Sequence, residues 1–304
     1  MKIVLSLACT AALLAAATDV HADGHSDRLG PREMALGEAT RAEPVGASAI
    51  TLNPAGLGLT RELVFEGSYA YHSAVASAHR LMVSGCDSTV PVPGCFYYRY
   101  DRQGEADDGS APASRVHEFG STLARGFGRQ LYFGLTTRYF DYEDDAVIAG
   151  DSSGFGVDLG LLVRLVDMLS VAAVGYNLLS AEAPPYPRSV GAGLTLRPFG
   201  PLAISADGMW NLDSDDGSSA RYGGGAEYFV RTSDMQTGFP LRAGVVHDTA
   251  SDTTFVTGGL AVVTKAIGFD VGARKELGGD GFAIVASLRV FGPRLASGGT
   301  GFAP

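Results

Sequence analysis

From Leu63 onward the chain alternates apolar and polar side chains with a period of two, in stretches of about ten residues. Along Phe155–Leu165, one face carries Phe155, Val157, Leu159, Leu161, Val163 and Leu165, and the other Gly156, Asp158, Gly160, Leu162 and Arg164. A helix would mix Asp158 and Arg164 among the apolar side chains, whereas a strand sends successive side chains to opposite faces. Leu131–Tyr139, Val190–Arg197, Leu202–Asn211, Ile267–Arg274 and Phe282–Val290 read the same way. The chain is therefore expected to be all-β.

An antiparallel sheet in water also alternates, so membrane and water must be told apart by other features. Strands of about ten residues match what a tilted membrane strand needs. The polar face is rich in Gly and mixes Arg with Asp and Glu, charges able to pair across a lumen. Charged residues make up only 18% of the chain and Gly numbers 41 of 304, against about 25% and about 7% in ordinary soluble domains. After the N-terminus no apolar run is long enough for a transmembrane helix. A closed antiparallel barrel is the other way to satisfy every backbone group in a bilayer. Short turns are expected near Arg125–Arg129, Val166–Met168, Pro198–Gly200 and Thr264–Ala266. Longer polar connections are expected at Ser73–Ser114, Asp141–Ser153, Ser180–Pro187, Leu212–Ser219 and His247–Asp252, with a longish turn at Arg231–Phe239. Outer-membrane barrels place short turns in the periplasm and long loops outside. This threading gives about 12 strands, or about 14 if Phe96–Tyr100 belongs to a further hairpin within Ser73–Ser114. Tyr69, Tyr71, Tyr139, Phe140, Trp210, Tyr228, Phe229 and Phe291 gather near strand ends, as interfacial aromatic girdles do.

Residues 1–22 read as a signal peptide. Lys2 supplies the positive start, Ile3–Ala17 the apolar region, and Val20-His21-Ala22 the small-residue cleavage pattern, so the mature chain is expected to begin at Asp23. Cys9 lies within the apolar run, too early for a lipoprotein site. Cys86 and Cys95 then remain, flanked by Gly and Pro, and in an exported chain they read as a disulfide closing a small, outward-facing loop. The chain divides into the signal peptide, a non-alternating segment 23–61, a barrel 62–291 and a periplasmic tail 292–304.

The non-alternating segment contains Ala35-Leu36-Gly37-Glu38-Ala39-Thr40-Arg41-Ala42, then Ala47–Leu52, then Asn53-Pro54-Ala55-Gly56-Leu57. Here the chain resembles the N-terminal region of the FadL-like outer-membrane transporter superfamily, which includes the PorV-type barrels. The Asn-Pro-Ala-Gly element just before the first strand carries the likeness, which covers about 30 residues and beyond them is one of architecture. The resemblance implies that the segment folds inside the barrel as a plug. It also implies passive passage of hydrophobic or amphipathic small molecules, such as fatty acids, across a bacterial outer membrane. The residues themselves are compatible: Pro54 disfavours a helix at Asn53, Asn53 can bond nearby backbone, and Ala and Gly allow close packing against a wall. Asn53, Pro54, Ala55, Gly56 and Leu57 are the candidate ligand and plug residues. Arg138, Asp158, Arg164, Arg197, Asp207, Glu227, Asp270, Arg274 and Arg289 are expected to pair in the lumen, holding wall and plug. The PorV-type relatives suggest an alternative, a docking barrel without transport.

Catalysis and metal binding find little support. His25, His72, His79, His117 and His247 do not cluster in sequence, and His247-Asp248 has no matching nucleophile motif. Asp213–Gly217 lacks the later Glu of a calcium loop, and Asp141–Asp145 reads as a solvated acidic turn. Gly223-Gly224-Gly225 lies inside a strand and suggests a bend or a close approach of the plug. No cofactor is expected, and an outer-membrane lipid-modifying enzyme is the least favoured reading. A net charge of −10 argues against a nucleic-acid partner. The expected partners are outer-membrane lipid and a hydrophobic ligand, with the barrel as a monomer.

Overall fold

The computed structural model describes residues 28–73, 76–106, 113–144, 152–179, 186–213, 219–233 and 236–292. The expected signal peptide, the expected start at Asp23, most of the acidic stretch 213–217 and the tail beyond Gly292 lie outside the described residues. Fourteen strands are described: β1 Leu63–Ser73, β2 Ser77–Asp87, β3 Gly94–Gln103, β4 Ser114–Phe127, β5 Leu131–Asp144, β6 Ser152–Val166 and β7 Leu169–Tyr176. They continue with β8 Ser189–Phe199, β9 Leu202–Asn211, β10 Ala220–Arg231, β11 Gly238–Asp248, β12 Thr253–Val263, β13 Ile267–Glu276 and β14 Phe282–Phe291. Each pairs with its sequence neighbours, and β1 closes the barrel against β14 in antiparallel register from Val64↔Phe291 to Ser73↔Phe282.

The period of two becomes an inside and an outside. Asp158 is 1% exposed and Leu159 51%, the first inward and the second outward on consecutive residues of β6. Leu194, Ile204, Phe269, Ile284 and Leu288 are likewise exposed, whereas Thr195, Ser205, Asp270 and Ser287 are buried. An apolar surface that runs around the whole wall is unsuited to water and matches a lipid bilayer. Among the described residues no helix is long and apolar enough to cross a membrane, so the strands do the crossing.

The stretch Ser73–Ser114, read as one long connection or as holding a further hairpin at Phe96–Tyr100, contains β2 and β3. This brings the count to fourteen and reverses the side of the disulfide. Cys86 and Cys95 are register partners at the ends of β2 and β3, and Cys86 also lies opposite Val64 at the start of β1. The bridge therefore sits at the end of the barrel where β1 begins and β14 finishes, among the short turns, not in an outward loop. Both half-cystines face the interior, at 2% and 1% exposure. Three of the expected girdle aromatics are corrected in the same way. Phe140 is buried inward against Tyr186, Phe291 packs on an interior cluster with Val64, and Phe229 aligns with the buried Pro240.

Two outcomes are expected. Leu159→Arg places a cation in lipid near the middle of β6 and should cost roughly 2–4 kcal/mol in equilibrium folding into bilayers; a cost near zero contradicts the assignment of faces. After reduction, a membrane-impermeant maleimide added to intact cells should leave Cys86 and Cys95 unlabelled, and ready labelling from outside contradicts the topology.

Candidate functional site

Residues 28–60 do not join the wall. They form two short helices, α1 Pro31–Ala35 and α2 Ser48–Thr51, and a 3-10 helix, Pro54–Gly58. Helices this short are unstable alone and are held by packing. Met34, Ala35, Ala39, Ala42, Ala49, Leu52 and Ala55 are completely buried. The helix α1 lies against β11–β14, and the 3-10 helix against β4–β6, on another arc of the barrel. A segment that touches both arcs and is shielded from solvent occupies the interior.

The Asn-Pro-Ala-Gly element has a mechanical explanation. The Asn53 side chain caps the 3-10 helix by accepting from the Ala55 N–H at 3.1 Å, and Pro54 takes the first helical position. The Asn53 amide donates to the carbonyls of Arg41 at 2.9 Å and Leu161 of β6 at 3.3 Å. One side chain thus ties the cap to its own segment and to the wall. Ala55 packs with Tyr132, Leu162 and Ala172. Leu57 packs with Val64, Tyr97, Ala124 and the disulfide. Gly56 is covered by Pro44, where a Cβ would overlap the ring. All five residues lie near the short-turn end and are engaged in packing.

The abundance of Gly follows from this close approach. At Gly134 and Gly160 a Cβ would overlap Asn53–Ala55, and at Gly223, Gly225 and Gly244 it would overlap the backbone of Leu36–Gly37. The Gly223–Gly225 run is therefore a seat for the segment, one of the two explanations its sequence suggested.

Charge pairs join the segment to the wall. Arg41 donates to Asp207 through its backbone N–H at 2.8 Å and its guanidinium at 3.2 Å, and to the Tyr176 hydroxyl at 2.8 Å. Arg32 binds Glu227 at 3.1 Å. Glu38 receives Arg221 at 2.9 Å and Arg274 at 3.4 Å, and Glu43 receives Arg197 at 2.7 Å. Other pairs stay within the wall. Arg242 bridges Glu227 and Asp270, each at 2.6 Å, and Arg289 adds to Asp270 at 3.1 Å. Arg138 binds Asp158 and Asn177. Arg99 binds Glu118 and Asp101, each at 3.2 Å. Of the nine charges singled out in the sequence, eight pair in this way. Arg164 does not: it lies 6.0 Å from the Tyr132 ring, with no acidic partner among the described residues. Sequence reasoning missed Glu118, Arg99, Arg221 and Arg242, and every partner supplied by the segment.

The residues singled out for the alternative chemistries lie as follows. His247 faces Thr254 at 3.0 Å, while Asp248 accepts from Arg221, so the two do not form a dyad. Asp213 is engaged by Arg188 at 2.6 Å. Among the described residues no cluster of three His, Cys, Asp or Glu is arranged to hold a metal.

The arrangement defines a transmembrane β-barrel of the outer-membrane type with its N-terminal segment folded inside. Its fold is shared with solved channel and transporter barrels. The monoaromatic hydrocarbon channel CymD superposes with a TM-score of 0.66 at 14% identity, over 86% of this chain and 97% of that one. The toluene transporter TodX of Pseudomonas putida gives 0.62 at 13% identity, over 86% and 97%. A FadL homologue of Pseudomonas aeruginosa gives 0.59 at 8% identity, over 86% and 97%. At these identities the shared property is the fold. No protein-family model matches the sequence, and no curated protein does.

The seat of the segment can be tested at one atom. Gly160→Val sets side-chain carbon where Asn53 and Pro54 now lie, so proteolytic cleavage between Pro44 and Thr60 should accelerate while the heat-modifiable gel shift of the folded barrel is kept. Unchanged cleavage in a folded variant contradicts the contact.

Proposed function

We propose that the protein is a monomeric outer-membrane channel for passive passage of hydrophobic or amphipathic small molecules such as fatty acids, and that residues 23–61 are its plug. The observation that carries this reading is the filled lumen. Fourteen strands enclose more room than side chains alone occupy, since about eight already fill theirs, and here the N-terminal segment takes up the difference. One cavity between it and β1, β2, β13 and β14 measures about 30 Å³, room for one or two waters. In this reading a solute passes when the plug shifts or the wall parts beside it. Such a gate suits substrates that partition into membrane and protein interior, not ions that need a standing aqueous path. The described likeness in fold to channels for hydrophobic compounds supports the same reading. In it Asn53–Leu57 are the pivot of the plug and part of the wall met by the solute, and the lumenal ion pairs hold the closed state. No step in this function calls for a cofactor or a catalytic residue.

Deletion of Asp23–Thr51 should leave a folded barrel of higher single-channel conductance than the mature chain, and proteoliposomes of the mature chain should take up labelled fatty acid faster than empty vesicles. Equal conductance of a folded deletion would mean that the segment does not occlude the lumen. Equal uptake would remove transport and leave a docking role, with protein partners to be recovered from outer membranes.

A further inference from the structure

At the end of the barrel opposite the disulfide, β2 starts, β3 finishes and β4 starts, so three neighbouring strands reach the outer mouth together. Near their tips the outward residues are His79, Arg102 and Arg115, all exposed. They form one row, because Arg102 is the register partner of His79 on one side and of Arg115 on the other. Basic side chains in register on one face of a sheet repel and destabilise it. An acid answers one end of the row, where Glu143 of β5 meets Arg115 at 3.4 Å. Arg102 has no acidic partner among the described residues, since its neighbour Asp101 turns inward to Arg80 and Arg99, each at 3.2 Å.

The outer face below this row passes through amphipathic rings to a bare apolar surface. The Tyr69 hydroxyl lies 2.7 Å from the His79 Nδ1, and the Tyr71 ring lies 5.2 Å from that of His79. The Tyr98 hydroxyl lies 2.9 Å from the His117 Nδ1, and its ring packs 4.7 Å from that of Phe119. Nearer the middle of the wall come Leu81, Val83, Phe96 and Phe119, from 45% to 76% exposed. Cations, then phenol rings, then hydrocarbon: this is the order met along a membrane lipid from headgroup to tail.

We propose that the row His79, Arg102 and Arg115 binds the phosphate headgroup of a lipid in the outer leaflet, with the acyl chains of that lipid lying on Leu81, Val83, Phe96 and Phe119. Guanidinium groups match phosphate oxygens bidentately. Two of them on adjacent strands, with Cβ atoms about 5 Å apart, are close enough to share one phosphate. The bound anion turns the repulsion within the row into attraction. A free phosphate would use the cations and leave the apolar surface beneath them unused, whereas a lipid engages both. The site lies on the outside of the wall and is independent of passage through the lumen.

The probe is lipid A, a phosphorylated lipid with several acyl chains, added to the detergent-solubilised mature chain and followed by native mass spectrometry. A one-to-one adduct should form. Its Kd should rise about tenfold in Arg102→Gln, which removes hydrogen bonds to a charged group, and rise further when Arg115→Gln is added. Lys275→Gln removes another exposed cation at the same mouth, on β13 opposite Phe282, and should leave the Kd unchanged. Lipid A stripped of its phosphates should bind about tenfold more weakly, and inorganic phosphate at the concentration of the lipid should not displace it. The proposal is overturned if no adduct forms, if Lys275→Gln weakens binding as much as Arg102→Gln, if the stripped lipid binds equally well, or if inorganic phosphate displaces the lipid. Should the glutamine variants not give the heat-modifiable gel shift of a folded barrel, Arg102→Lys decides: it keeps the charge and loses the fork, so weaker binding supports the site and an unchanged Kd overturns it.

Discussion

In hydrocarbon a backbone N–H or C=O has only another backbone group to pair with, and the closed seam between β1 and β14 is where this barrel meets that demand. An open sheet would leave two unpaired edges in lipid. Closure fixes the rest. Once the strands form a ring, one set of alternate residues faces lipid and the other a lumen, so Leu159 and Asp158 are separated by one peptide bond and by the whole thickness of the wall. A ring of fourteen strands is also too wide for its own side chains to fill. The remaining volume must be taken by water, by solute or by chain, and here the chain supplies it.

Filling a polar lumen with backbone brings its own requirement, because buried polar groups must be paired. The segment meets it in two ways. Where it runs close to the wall the wall is Gly, so that backbone meets backbone at Gly134, Gly223 and Gly225, and the Asn53 side chain and Pro54 ring fit over Gly160. Four of its charges meet opposite ones on strands: Arg41 on Asp207, Arg32 on Glu227, Glu38 on Arg221 and Glu43 on Arg197. Such pairs add little net stability, but removing one partner strands the other and costs about 3–5 kcal/mol. They therefore fix where the segment sits more than how tightly the barrel holds together. A plug placed by a few directional bonds has a discrete closed position, as a gate requires.

Alternation makes the barrel legible in the sequence, because each strand buries one face and exposes the other. It leaves Ser73–Ser114 open between one connection and a further hairpin, and the reason is local. The inward residues of β2 include Ala78 and Met82 beside Arg80, and its outward ones include His79 beside Leu81 and Val83, so polarity does not separate the faces. Missing two strands moved the turn between Cys86 and Cys95 to the opposite end of the barrel: pairing was legible, side was not. Phe140 and Phe291 were misplaced because interior aromatics are as compatible with strand propensity as lipid-facing ones. Their inward packing depends on Tyr186 and Val64, which come together only in the fold. The charges on strands could be read as lumenal, but their partners Arg32, Glu38, Arg41 and Glu43 lie in a segment without periodicity, and pairing across more than a hundred residues leaves no local trace. Asn53 and Pro54 were found through a family resemblance. Their cap geometry explains why that pair of residue types suits the position.

The account stands or falls on where the N-terminal segment lies in the mature protein. A density map from crystals of the full mature chain in detergent would settle this directly. It should show continuous density inside the barrel for residues 28–60, with the Asn53 side chain against the Leu161 carbonyl and the Arg41 guanidinium on Asp207. A lumen holding only solvent, with the segment outside the barrel, would contradict the account.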